Sequence, residues 1–133
     1  MSNKVVARLQ DGQIIKGATL DVDPARPSIH VLQPPGPAVE VMLADLKALF
    51  FVRTLEGDPS YQENAEVLAD DPRIRGSKLV SLQFADGENL IGMTIRYPPN
   101  RPYFFVVPVD PKSNNIRILV NRAAVISMKQ LDT

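Results

Sequence analysis

Side chains able to do chemistry are sparse in this sequence. Histidine occurs once, at His30, and cysteine is absent. A lone imidazole acts as a general base only beside a group that positions it, and as a metal ligand only within a set. No cysteine or paired carboxylate stands at ligand spacing from His30, so a strand-surface role is expected for it, and no metal site or catalytic residue is assigned. Glycine-rich phosphate loops, Ser/His/Asp constellations and Walker-type lysines are all missing. The chain therefore reads as a non-enzyme that needs no cofactor. Without cysteine there is neither a disulfide framework nor a thiolate metal site.

The most distinctive polar feature is a dipeptide that occurs twice, Arg26-Pro27 and Arg101-Pro102. Proline fixes φ, so both pairs belong to turns. Two roles are open to the arginines. Each holds its own turn by donating to loop carbonyls, which is the favoured reading; or the two loops form a rim offered to a ligand or partner.

Charge narrows the partners. The 15 basic and 15 acidic residues cancel, which removes the usual electrostatic argument for nucleic acid. The balance is uneven along the chain: residues 1–54 carry +1, residues 55–77 carry −4 and residues 78–133 carry +3. Met1-Ser2-Asn3-Lys4 runs straight into a strand pattern, and no apolar run nears the ~20 residues of a spanning helix. The expectation is a cytoplasmic protein with no membrane partner.

The elements that must position these groups follow from an internal repeat. A shift of 75 residues lays Val5 on Val80, Asp11-Gly12 on Asp86-Gly87, Gly17 on Gly92, Pro24 on Pro99, Arg26-Pro27 on Arg101-Pro102 and Val31 on Val106, without a gap. After a two-residue insertion near Asp110-Pro111-Lys112 the shift becomes 77, laying Val41 on Ile118, Leu43 on Val120 and Leu49 on Ile126. Each unit reads as five short strands. Alternation over Val5, Ala7 and Leu9 gives the first, and Asp11-Gly12 is a hairpin turn. Gly17 and Gly92 sit inside the second strand, where a sheet curls. The third strand is expected over Ser28–Gln33 and Tyr103–Pro108, and the fourth over Val39–Leu43 and Ile116–Val120. One-turn helical links at Leu43–Leu46 and Val120–Ala123 lead into the fifth, Lys47–Arg53 and Ala124–Lys129. The fold class is all-β: two tandem five-stranded barrels, over 1–54 and 78–133, joined by an acidic linker or short helix over 55–77.

Val5-x-Ala7-x-Leu9-x-Asp11-Gly12, followed by Gly17 and Asp23, resembles the first sequence motif of Sm-like RNA-binding proteins. The one-turn link before the fifth strand looks like SH3-type barrels. Over nearly its full length the chain is similar to an uncharacterised bacterial family of unknown function that carries this SH3/Sm-like barrel twice, with a recurring Arg-Pro turn. That resemblance implies the fold and no assigned activity. The chain departs from the Sm pattern after Asp23, where Pro24-Ala25-Arg26-Pro27 replaces the hydrophobic-Asn pair that contacts a base.

In the middle segment Asp58-Pro59-Ser60 is suited to start a helix and Asp71-Pro72 to stop it. The halves also differ in apolar content. Tyr103, Phe105 and Val107 face outward if Ile29 and Val31 face the first core, and Phe50 falls at the position of Ser127. Exposed contiguous aromatics mark interfaces, so Phe50, Tyr103, Phe105 and Val107 are candidates for an inter-barrel surface, since a unit of about 55 residues is marginal alone, or for a dimer contact. The leading expectation is a protein-binding or adaptor module using Arg26, Pro27, Arg101 and Pro102 as its rim. The alternatives are an RNA- or nucleotide-binding Sm-like protein contacting nucleic acid through Arg101, Arg117, Arg122 and Lys129, and a structural subunit of a larger assembly. The ligand itself is not determinable from the sequence.

Overall fold

Both Asp-Gly turns form as their residue types dictate. Gly12 and Gly87 take φ of 93° and 92°, a region that costs glycine nothing. Asp11 accepts from the Gln13 amide at 2.9 Å and Asp86 from the Glu88 amide at 3.0 Å. The computed structural model describes residues 3–62 and 76–131. In it the turns link β1 (Asn3–Leu9) to β2 (Ile14–Thr19) and β6 (Lys78–Phe84) to β7 (Asn89–Thr94). The remaining strands are β3 (Ser28–Leu32), β4 (Ala38–Met42), β5 (Leu46–Val52), β8 (Tyr103–Pro108), β9 (Asn115–Asn121) and β10 (Val125–Gln130), with one-turn 3-10 helices at Leu43–Asp45 and Arg122–Ala124. Residues 63–75, including Asp71-Pro72 and most of the expected linker or helix, lie outside the described residues.

All ten strands join one antiparallel sheet, in the order β10-β6-β7-β8-β9-β5-β1-β2-β3-β4. The expected pair of self-contained units is thus replaced, at the level of hydrogen bonding, by a continuous sheet. The junction is β5 against β9, with Ala48 opposite Val120, Leu49 opposite Leu119 and Phe50 opposite Ile118. On either side of it the order β5-β1-β2-β3-β4 is matched by β10-β6-β7-β8-β9.

β5 has strand neighbours on both edges and side-chain clusters on both faces, so all seven of its residues are buried. Ala48, Phe50 and Val52 join a cluster with Val80, Leu82, Phe84, Val106 and Ile118. Leu49 and Phe51 join the opposite cluster, with Val5, Ile29, Val31 and Leu43. A nearly continuous apolar run is what a strand covered on both faces requires. Burial of the Phe50 ring contributes about 1.5–3 kcal/mol.

Gly17 and Gly92 owe their identity to close approach. A Cβ on Gly17 would stand 2.3 Å from the Leu32 carbonyl oxygen, and one on Gly92 would stand 2.4 Å from Val106 Cγ1 and 2.7 Å from the Val107 carbonyl oxygen. The neighbouring strand passes directly over each position.

The late alignment is corrected by the register. Ser28 pairs with Met42, whereas Tyr103 pairs with Asn121. Met42 therefore corresponds to Asn121, Leu46 to Val125 and Phe50 to Lys129, an offset of 79 rather than 77. Strand alternation repeats every two residues, so a slip of two preserves the apolar pattern and hides the error.

Candidate binding site

The Asp23–Arg26 turn is closed by the Arg26 amide donating to the Asp23 carbonyl and the Ala25 amide donating to Asp23 Oδ1, both at 2.9 Å. The prolines anchor the next element. Pro27 accepts from the Leu43 amide at 2.9 Å and Pro102 from the Arg122 amide at 2.8 Å, at the starts of the two 3-10 turns. Proline carbonyls, rather than arginine side chains, tie these loops down. Among the described residues neither guanidinium donates to a loop carbonyl, contrary to the favoured expectation. Arg26 Nε lies 3.6 Å from Asp23 Oδ2 in an exposed pair, and among the described residues Arg101 has no polar partner.

The two loops meet. Pro24, Ala25, Arg26 and Pro27 line one side of a cleft of about 450 Å³, and Arg101, Pro102 and Tyr103 the other. A second cleft, of about 800 Å³, shares Pro24, Arg101 and Tyr103 with it and runs along Met93, Ile95, Phe105 and Val107. A third, of about 720 Å³, lies where the 53–61 segment approaches Lys112–Asn115.

Of the four apolar candidates, Phe50 is buried in the cluster centred on the second half. Tyr103 and Phe105 pack against the cluster of the first half. Phe51 and Phe105 rings sit 6.1 Å apart across the junction. Val107 stays 36% exposed.

The four basic candidates occupy separate elements. Arg117 on β9 stacks over Phe51 and Phe105, 4.3 and 4.7 Å from their ring centres. Arg122 donates to the Val125 carbonyl at 3.1 Å. Lys129 lies on the terminal strand, opposite Ser81, and Arg101 lines the loop cleft. They do not form one stripe.

His30 is better supported than its sequence neighbours suggest. Its Nδ1 lies 2.7 Å from Asp21 Oδ2, its amide donates to Asp21 Oδ1 at 3.0 Å, and Nε2 is 3.8 Å from Glu40 Oε2. The backbone bond and then the ring bond from His30 lower the Asp21 carboxyl to about 2. The Asp21 hydrogen bond raises the His30 imidazole above its ordinary value. Thr19 also donates to Asp21 and Ser28 to Glu40. His30 and Glu40 are exposed, Asp21 is half-buried and Thr19 buried, and none of the three clefts includes His30.

The polar contacts between the halves escaped sequence reasoning. Lys47 on β5 is 7% exposed and bridges Asp86, at 2.7 Å, and Glu88, with its ammonium 4.9 Å from the Phe84 ring centre. Buried Asn121 donates to the Leu46 carbonyl at 2.8 Å and the Ala44 carbonyl at 3.3 Å, while its Oδ1 accepts from the Ala123 amide. Asn114 exchanges bonds with the Thr54 backbone, and Arg53 donates to the Ser113 and Pro111 carbonyls at 3.1 Å. The one available signal was Lys47 itself, a cation within an apolar run.

Among the described residues no group of three His, Cys, Asp or Glu side chains is placed to hold a metal ion, and no helix is long and apolar enough to cross a membrane. No curated protein and no solved structure matches the chain. A family of unknown function does match, along residues 1–132, and the chain belongs to it: DUF6982.

Proposed function

We propose that the protein is a non-enzymatic protein-binding or adaptor module, built of two fused SH3/Sm-like barrels over residues 1–54 and 78–133. The recurrence of strand order on either side of the β5 and β9 junction, with one apolar cluster per half, supports the duplicated architecture. The observation that carries the functional reading is the convergence of the two Arg-Pro loops on one cleft. Loops on a rigid strand scaffold are where binding residues concentrate, and here both halves contribute the same dipeptide to one surface while proline carbonyls do the anchoring.

Quantitative pull-down with the parent and with Arg26→Glu/Arg101→Glu tests this reading. The expected result is a defined set of proteins held by the parent and lost by the variant, with unchanged circular dichroism. Retention of the same set by the variant removes the loop cleft from the binding surface. Specific turnover of small molecules by the purified chain, with no protein retained, overturns the adaptor reading.

A further inference from the structure

β7 and β8 pair at only two positions, Gly92 with Pro108 and Met93 with Val107. Beyond them Thr94 Oγ1 donates to the Phe105 carbonyl at 3.0 Å in place of a further ladder pair. The strands part, and the cleft of about 800 Å³ lies along the parting. Its lining includes Met93, Ile95, Tyr103, Phe105 and Val107, together with Arg96 and Arg101. Through Pro24, Arg101 and Tyr103 it continues into the loop cleft, so the two form one elongated trough.

The other half of the sheet supplies an internal control. Val5 faces Gly17 as Val80 faces Gly92, so Tyr103 corresponds to Ser28 and Phe105 to His30, while Ile95 corresponds to Leu20 and Val107 to Leu32, both also exposed. The similar third strand is thus built with polar side chains at Ser28 and His30, so pairing alone does not demand the aromatic pair of the second half, whereas apolar residues at the other two positions are common to both halves. Tyr103 and Phe105 cover the first cluster. Ile95 and Val107 remain 84% and 36% exposed in the trough. Contiguous exposed apolar surface with a polar rim marks a recognition site.

Charge selects the occupant. Arg96 and Arg101 are exposed, and among the described residues neither has a carboxylate within ion-pairing distance or a hydrogen-bond partner. A second copy docking trough to trough would bring no carboxylate to these arginines, because none among the described residues lines the trough. An elongated trough fits a chain segment, and free guanidiniums favour carboxylates, which they bind in a two-pronged geometry.

We infer that the trough between β7 and β8 seats an extended acidic segment of a partner protein, its apolar side chains over Ile95, Phe105 and Val107 and its carboxylates at Arg96 and Arg101. This rests on the binding-module reading and names the partner chemistry.

Selection of a displayed random-peptide library on the full chain tests it. Enriched peptides are expected to combine aliphatic or aromatic residues with Asp or Glu. A representative synthetic peptide should lose at least about tenfold in affinity on Arg96→Glu/Arg101→Glu, a loss of about 1.4 kcal/mol or more. Ile95→Lys should weaken it independently, and added salt should weaken the parent complex. Enrichment of peptides without acidic residues, or an unchanged Kd in the charge-reversed variant, overturns the acidic segment and leaves the module reading standing. No enrichment at all overturns this inference, while the pull-down decides the module reading separately.

Discussion

The ammonium of Lys47, on the strand that ends the first half, lies 2.7 Å from Asp86 Oδ2 in the first turn of the second. The lysine side chain is 9% exposed, whereas Asp86 and Glu88 remain 55% and 51% exposed. The desolvation burden therefore falls on the cation, and the two ways of breaking the bridge differ.

Lys47→Met leaves two solvated carboxylates and fills the same space with an apolar chain, so stability is expected to stay within about 1 kcal/mol of the parent. Asp86→Asn/Glu88→Gln strands the ammonium against Phe84 and should lower the urea midpoint more than Lys47→Met does. Equal midpoints for the two variants would refute this asymmetry. The Lys47 hydrogen bond lowers the Asp86 carboxyl, so its contribution is present above the unfolded carboxyl value and is lost as pH falls through the lowered one.

Gly17→Ala and Gly92→Ala place a methyl group where the adjacent strand already stands. Each should cost about 1–3 kcal/mol by overpacking. Gly36→Ala, whose nearest neighbour would be the Gln33 carbonyl oxygen at 3.3 Å, should cost less. Chemical denaturation of the three variants ranks them, and parity between Gly36→Ala and Gly17→Ala would contradict the close-approach argument.

A fragment of residues 1–54 is expected to lack a cooperative unfolding transition. It loses the whole β9 edge of β5 and exposes Val6, Phe50 and Val52, which belong to the other half's cluster. A sharp thermal transition in the isolated fragment would show that the junction is dispensable.

For His30 the sign follows from a folded value raised above the unfolded one. Its contribution to stability is fully present below the ordinary histidine value near 6.5 and disappears as pH rises through the raised value. Proton NMR should place the His30 transition above that ordinary value, and Asp21→Asn should move it back down. A transition indifferent to Asp21→Asn would remove the carboxylate as the cause.

Much of the local structure was legible because it depends on neighbours in sequence. The Asp-Gly turns, the five successive strands of each half and the first 3-10 link all follow from φ preferences and alternation. The second 3-10 turn falls at Arg122–Ala124, later than expected, because alternation cannot distinguish offsets that differ by two. Phe50 is aligned with Ser127 for that reason, when its counterpart is Lys129 on the end strand. The carboxylates near His30 were overlooked because Asp21 and Glu40 approach it only after β3 has paired and the loop has folded back.

The sequence by itself determined an all-β chain with two similar halves, glycines at the tight points and two Arg-Pro turns, since each is set by conformational preference over a few residues. Only the tertiary structure decided that β5 and β9 fuse the halves into one sheet, that Lys47 reaches Asp86 and that Arg26 and Arg101 face one cleft. Those relations join residues tens of positions apart through edge pairing and burial, and period-two patterning carries no record of which edge meets which.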